Sequence, residues 1–208
     1  MRRLGIGSAL IVLVLAGCIQ PVDENTITAT APAAGAPGPV QPTGPDAAAG
    51  GATWPMIEQF IRDRGNTPND LQVWYEQPRE PDRLQGFSYS TASGNPCVGF
   101  LLTALTNGVW QPSYGAQICA PQPILQALAG VTFFPTSDGA VYTIVFGRVA
   151  DPTVSAVAVI YDDGTNQTTN PVMGGFLLVI PGVHSATTIT AVNEEGYTII
   201  PNIPQTPV

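Results

Sequence analysis

Nine short runs rich in Val, Ile, Phe, Tyr and Thr follow one another through the last two thirds of the chain, each bounded by turn chemistry. They are Leu71 to Glu76, Leu84 to Ser90, Val98 to Leu105, Val131 to Phe134, Val141 to Val149, Val154 to Tyr161, Gly175 to Ile180, Thr187 to Val192 and Tyr197 to Ile200. Branched and aromatic side chains suit a pleated, half-buried surface, and runs of this length read as strands. Asn107-Gly108, Asp138-Gly139 and Asp163-Gly164 are tight-turn pairs, in which Gly supplies the positive φ. So many short strands with so little helix predict a mainly β fold, an antiparallel β-sandwich, with α+β character only at its N-terminal side.

One helix is expected there. Thr53 is its N-cap, Pro55 sits in the first turn, and Trp54, Ile57, Phe60 and Ile61 form one apolar stripe. Glu58, Gln59, Arg62 and Asp63 point elsewhere, and Gly65 is placed to end the helix before the loop Asn66 to Asp70. A second helical turn is expected over Pro123 to Ala129, ending at Gly130.

The first 52 residues have a different composition. Arg2 and Arg3 precede an uncharged, mostly apolar run from Leu4 to Ala16. That run is too short for a permanent membrane helix and suits a signal peptide. Leu15-Ala16-Gly17-Cys18 closes it and resembles the lipobox of bacterial lipoproteins. The resemblance covers residues 1–18. It implies a diacylglycerol on the Cys18 sulfur, cleavage before Cys18, and further acylation of the new amino group. Two or more acyl chains hold firmly where one does not. Ile19 rather than Asp at the next position favours the outer membrane in a cell that has one.

Residues 18–52 then read as the lipidated Cys and a disordered tether. Ala31-Pro32-Ala33-Ala34-Gly35-Ala36-Pro37-Gly38-Pro39 is followed by Pro42, Pro45 and Ala47 to Gly51, with no large apolar residue between Val40 and Trp54. Such a stretch cannot offset its own ordering entropy. Fully extended it would reach about 100 Å. Residues 53–208 form the globular part, with a sub-boundary expected near 135–147.

Cys97 and Cys119 are the two cysteines left once Cys18 is assigned to lipid. Their number is even, their exported setting permits disulfides, and a C-x-x-C redox spacing is missing, so they are expected to pair. Trp110 and Tyr114 lie between them in sequence and are expected to cover the bridge.

The last third runs from Gly147-Arg148-Val149 through Val154 to Tyr161, Asp162-Asp163-Gly164-Thr165, Gly174-Gly175-Phe176-Leu177 and Ile189-Thr190-Ala191-Val192 to Glu195-Gly196. This order of strands and turns is similar to small Ig-like β-sandwich modules of bacterial envelope proteins. The resemblance covers residues 147–200, implies an Ig-like C-terminal part, and brings no catalytic residues.

Charge narrows the function. The chain has 7 basic residues, all Arg, against 15 acidic ones, with a net charge of −8 and one His. That excludes a nucleic-acid footprint and a polybasic contact with anionic lipid. The residue types exclude a His/Cys zinc site and a Walker motif, and no G-x-S-x-G elbow occurs. Asp162-Asp163-Gly164-Thr165-Asn166 lacks the spacing of an EF-hand and reads as a hairpin turn, as does Glu194-Glu195-Gly196. No metal or cofactor is expected. His184, in Pro181-Gly182-Val183-His184-Ser185, is expected on an exposed loop. Glu58, Glu76, Glu80 and Asp82 show no spacing that singles out a glycosidase pair.

Trp74 and Tyr75 are adjacent on a strand and are expected to face opposite ways. With Trp110 they are the candidate ligand contacts, for stacking on a sugar or a partner. Burial of both is the favoured expectation, since Trp and Tyr are usually substantially covered, one under the helix and the other under the loop Gln77 to Arg83. Together these features describe a lipid-anchored envelope protein, on the cell membrane or outer membrane, facing outside the cytoplasm. Its β domain would be a binding or structural module for an envelope protein or glycan. Scarce catalytic residue types point away from an enzyme. The alternatives are a small envelope hydrolase using carboxylates or a Ser with His184, and an accessory ligand-binding lipoprotein.

Overall fold

The helical stripe does what its spacing predicts. In the structure, a computed structural model that describes residues 54–79, 82–120, 126–206 and 208, helix α1 runs Trp54–Asp63 and buries Ile57, Phe60 and Ile61. Its end is a Schellman motif. The Gly65 N–H donates to the Arg62 carbonyl and the Asn66 N–H to the Ile61 carbonyl, with Gly65 at φ +78°. The leader, Cys18, the tether, Thr53, Glu80 and the residues Pro123 to Leu125 lie outside the described residues.

Among the described residues twelve strands follow: β1 (Asn69–Arg79), β2 (Asp82–Ser90), β3 (Pro96–Thr106), β4 (Val109–Cys119), β5 (Ala127–Pro135), β6 (Val141–Val149), β7 (Ala156–Tyr161), β8 (Asn166–Thr169), β9 (Gly175–Pro181), β10 (Ala186–Val192), β11 (Thr198–Ile200) and β12 (Gln205–Thr206). They make three four-stranded sheets, ordered β1-β2-β3-β4, β12-β5-β6-β9 and β11-β10-β7-β8. Neighbours are antiparallel except β12 beside β5, which is parallel. Among the described residues the fold is mainly β with one short helix, as expected.

The sheets stack with α1 on the outside. Ile57, Phe60 and Ile61 meet Phe87, Tyr89, Cys97 and Leu101 on the outer face of the β1–β4 sheet. The other face of that sheet, through Leu84, Val98, Phe100 and Leu102, meets Leu128, Phe134, Ile144, Phe146 and Leu177 of the middle sheet. The reverse face of the middle sheet, with Ala129, Val145, Phe176, Leu178 and Ile180, meets Val157, Val159, Ile189 and Ala191 of the third. The middle strands are therefore apolar on both faces. This explains the unbroken runs in β6 and β9, beside the alternation in β10.

Two kinds of glycine shape the stack. Four hairpins share one turn: in Thr91–Asn95, Thr136–Ala140, Tyr161–Thr165 and Asn193–Tyr197 the first residue's N–H donates to the last residue's carbonyl, and the Gly N–H donates back to the first carbonyl. The Gly stands at φ between +81° and +85°, the left-handed position of a turn with a bulge. In the strands, by contrast, glycine makes room for rings. A Cβ on Gly175 would stand 2.3 Å from the Trp74 ring, one on Gly147 2.3 Å from Phe176, and one on Gly99 2.6 Å from Phe87.

Three expectations need correction. Ala127 to Gly130 belong to strand β5, not to a helical turn, because Ala127, Ala129 and Leu128 alternate between the two faces of the buried middle sheet. Val109–Cys119, outside the nine runs expected to be strands, is the edge strand β4, which Pro112 can join without breaking a ladder it does not extend. Trp74 and Tyr75 pack into the same core rather than facing apart. A register shift between Val73 and Tyr75 bulges β1 there.

The bridge Cys97–Cys119 is present. The two residues are direct cross-strand partners on β3 and β4. Their hairpin turns at Asn107-Gly108, with φ +53° and +78°. Trp110 pairs with Leu105 at the turn end of that hairpin, remote from the bridge in register; α1 packs beside Cys97 instead.

Gly175→Ala should lower stability by about 1–3 kcal/mol through overpacking against Trp74. Gly139→Ala, in a turn with open space around it, should cost less, since only backbone strain opposes it. Urea denaturation of the two variants checks the order.

Candidate functional site

The side of the molecule carrying α1 has a groove of about 460 Å³ between the helix and edge strand β4, lined among others by Met56, Phe60, Arg64, Leu101, Pro112 and Tyr114. Gly115 creates the close approach: a Cβ there would stand 2.5 Å from the Phe60 ring. Arg64, just past the helix end, holds the two elements together. Its guanidinium donates to the Phe60 carbonyl at 3.3 Å and to the Gly115 carbonyl at 3.2 Å, and its carbon lies 3.5 Å from the Phe60 ring centre. A strand at a sheet edge leaves carbonyls unpaired, and Arg64 occupies one of them. Desolvation pulls the Arg64 pKa below its ordinary value. The groove is thus an apolar trough with one fixed cation in its wall.

The aromatic candidates do not gather on one surface. Trp74 is 2% exposed and lies between the first and middle sheets, its ring against Gly86 and Gly175; it offers no face to a ligand. The helix is not what covers it, and Gln77 to Arg79 and Asp82 to Arg83 belong to β1 and β2 rather than to a covering loop. Tyr75 is half-buried and its hydroxyl is 2.6 Å from Gln77 Oε1. Trp110 stacks under Arg83, with the guanidinium carbon 4.2 Å from the ring centre. Tyr114 reaches the middle sheet through a 3.0 Å hydrogen bond to the Thr132 hydroxyl.

His184 is better held than an exposed loop residue would be, with 21% of its side chain exposed. Its backbone N–H donates to the Thr143 hydroxyl at 2.8 Å, and its Nε2 lies 2.9 Å from the Pro181 carbonyl. Nδ1 faces Asp163 Oδ2 at 3.3 Å and Asp162 Oδ1 at 4.0 Å. Among the described residues no Ser hydroxyl bonds to the ring, so a Ser-His pair is not assembled. The Thr165 backbone N–H, then its hydroxyl, hold the Asp163 carboxyl below the usual carboxylate range.

The other carboxylates are dispersed. Glu58 pairs with Arg62 on the exposed face of α1. Glu194 and Glu195 occupy an exposed hairpin turn. Asp82 is 2% exposed and accepts from the Ser137 N–H at 3.2 Å, tying the first sheet to the β5–β6 turn. No family model matches the chain, and neither does any curated protein or solved structure.

Sequence reasoning missed Arg64 and Pro112 because both act through β4, which was not recognised as a strand. The apolar alternation Val109, Trp110, Tyr114, Ala116 and Ile118 was too broken by Gln111, Pro112 and Ser113 to signal one.

Arg64→Met keeps the packed stem and removes the donors. It should destabilise the fold by about 1–2 kcal/mol, read as a lower urea midpoint with unchanged slope. Alkaline pH tests two buried phenols. Burial raises Tyr89 and Tyr161 to about 12, whereas the unfolded chain ionises near 10. Their contribution is therefore whole below pH 10 and is lost as pH rises through 12, about 2–3 kcal/mol for each. Tyr161→Phe should remove about half of that fall. At neutral pH it should leave stability equal or higher, because the Tyr161 hydroxyl is buried without a partner.

Proposed function

We propose that this chain is a lipid-anchored envelope protein whose β domain works outside the cytoplasmic membrane as a binding or structural module. The observation that carries the reading is the Cys97–Cys119 bridge. Disulfides persist in oxidising compartments. The bridge uses both cysteines of the globular part and leaves Cys18, at the end of the lipobox-like segment, as the remaining thiol of three. The segment from Ile19 to Ala52, rich in Pro, Ala and Gly, would then be a spacer between acyl chains and domain.

The strand order supports an Ig-like C-terminal part. Strands β5, β6 and β9 face β7, β8, β10 and β11 across a shared core, and the chain passes repeatedly between the two sheets, as Greek-key sandwiches require. A module role suits this build better than a clamshell binding protein, because the three sheets are layered face to face. It also suits it better than hydrolysis, because His184, Asp82 and Glu58 are held in separate local networks. The partner would be an envelope protein or a glycan, met through surfaces such as the trough beside α1.

Cys18→Ser tests the anchor. In cells fed radiolabelled palmitate, the parent chain should take up label and sediment with membranes. The variant should lose the label and keep its unprocessed mobility. A variant that still carried palmitate and sedimented unchanged would overturn the proposal.

A further inference from the structure

The turn between β7 and β8 and the loop between β9 and β10 meet at the end of the third sheet. They are joined by a hydrogen bond from the Asp162 N–H to the Ser185 carbonyl, 2.9 Å. The loop is also fixed to the middle sheet. Thr143, fully buried, accepts from the His184 N–H and donates its hydroxyl proton to the Gly182 carbonyl, both at 2.8 Å. The imidazole and the two carboxylates are therefore placed by two strand connections whose backbones are tied together.

The ring's far nitrogen sets its chemistry. Nε2 lies 2.9 Å from the Pro181 carbonyl. A carbonyl only accepts, so Nε2 carries the proton, and in the neutral ring Nδ1 presents a lone pair. That lone pair points at two carboxylates. The three donor atoms lie within 4.8 Å of one another, an arrangement of electron pairs that is relieved by a proton on Nδ1 or by a cation standing among them. The 3.3 Å from Nδ1 to Asp163 Oδ2 is longer than the roughly 2.7–2.9 Å of a charge-assisted hydrogen bond. It matches the edge of a tetrahedron built on metal bonds of about 2.0–2.1 Å. Asp162 Oδ1, at 4.0 Å, completes the third position by a small rotation of an exposed side chain.

We propose that His184 Nδ1, Asp163 Oδ2 and Asp162 Oδ1 form a binding site for a divalent transition-metal ion of the zinc class. One imidazole with two carboxylates suits that class better than calcium or magnesium, which take oxygen ligands alone. The Pro181 carbonyl on Nε2 is the outer-sphere partner that metal-ligating histidines usually have. Asp163 is divided between two tasks: Oδ1 accepts from the Thr165 N–H at 2.8 Å and closes the turn, while Oδ2 faces the ring. Three protein ligands leave the fourth position to water. The site is independent of the lipid anchor, so the two proposals fail separately.

His184 is the single imidazole in the chain, so one residue reports. The full chain, untagged and labelled with ¹⁵N, is titrated in detergent micelles with zinc chloride at neutral pH while the ring nitrogens are observed. The Nδ1 resonance should move, with Nε2 keeping its proton. Calcium and magnesium at the same concentration should leave the ring unmoved. Asp163→Asn keeps the turn acceptor and should weaken zinc binding at least tenfold, as should Asp162→Asn; backbone amide spectra establish that each variant is folded. An Nδ1 resonance unmoved at millimolar zinc overturns the proposal. So does a zinc response equal in the parent and the Asp162→Asn/Asp163→Asn double variant, since the ring alone would then hold the ion.

Discussion

The sheet β12-β5-β6-β9 is buried on both faces, and every other layer is placed by it. A sheet with one wet face can pack a single partner. This one carries Ile144, Phe146 and Leu177 toward the first sheet and Val145, Phe176 and Leu178 toward the third. Burying a side chain of this size is worth about 1.5–3 kcal/mol relative to leaving it exposed. Stripping either outer sheet would expose a whole face at once. The two sandwiches thus share one central layer, and neither has a core of its own to fold around without it.

Close packing at that layer depends on pairing rings with strand glycines. Trp74 fits only because Gly86 and Gly175 lack side chains, and Phe176 and Phe146 lie against Gly147 and Gly130 in the same way. A strand glycine ordinarily weakens a sheet, and here the ring of a neighbouring strand or sheet fills the space. The first sheet repeats the device on its outer side, where Gly99 admits Phe87 and Gly115 admits Phe60. Through Phe60 the helix comes close enough for Arg64 to reach the carbonyl of Gly115. The trough beside α1 follows from that approach.

The chemically distinctive groups stand at the ends of the layers. Asp82 reaches the β5–β6 turn, and His184 is anchored on buried Thr143 of the middle sheet while facing two carboxylates of the third. A rigid stack with polar groups collected at its strand connections is compatible with the binding or structural role proposed above.

Local patterns in the chain were enough for the mainly β class, for α1 with its Gly65 terminus, for the reversal at Asn107-Gly108 and for the pairing of Cys97 with Cys119. Each depends on residues whose preference is intrinsic or, for the cysteines, on parity. Periodicity could not separate the apolar run Ala127 to Gly130 from a helical turn, since short buried strands and helix segments look alike. It also missed β4, where an edge position tolerates Pro112 and polar residues. The common face of Trp74 and Tyr75 came from a bulge, and a bulge leaves no mark in residue spacing. The meeting of His184 with Asp162 and Asp163 had no local signal either, because the two connections are distant in the chain and only the packing of the third sheet on the middle one brings them together. Sequence alone determined the class of the fold and its turns, because those follow from the preferences of neighbouring residues. Tertiary structure decided which faces met and which donors converged, because these depend on register and layering between segments remote in sequence.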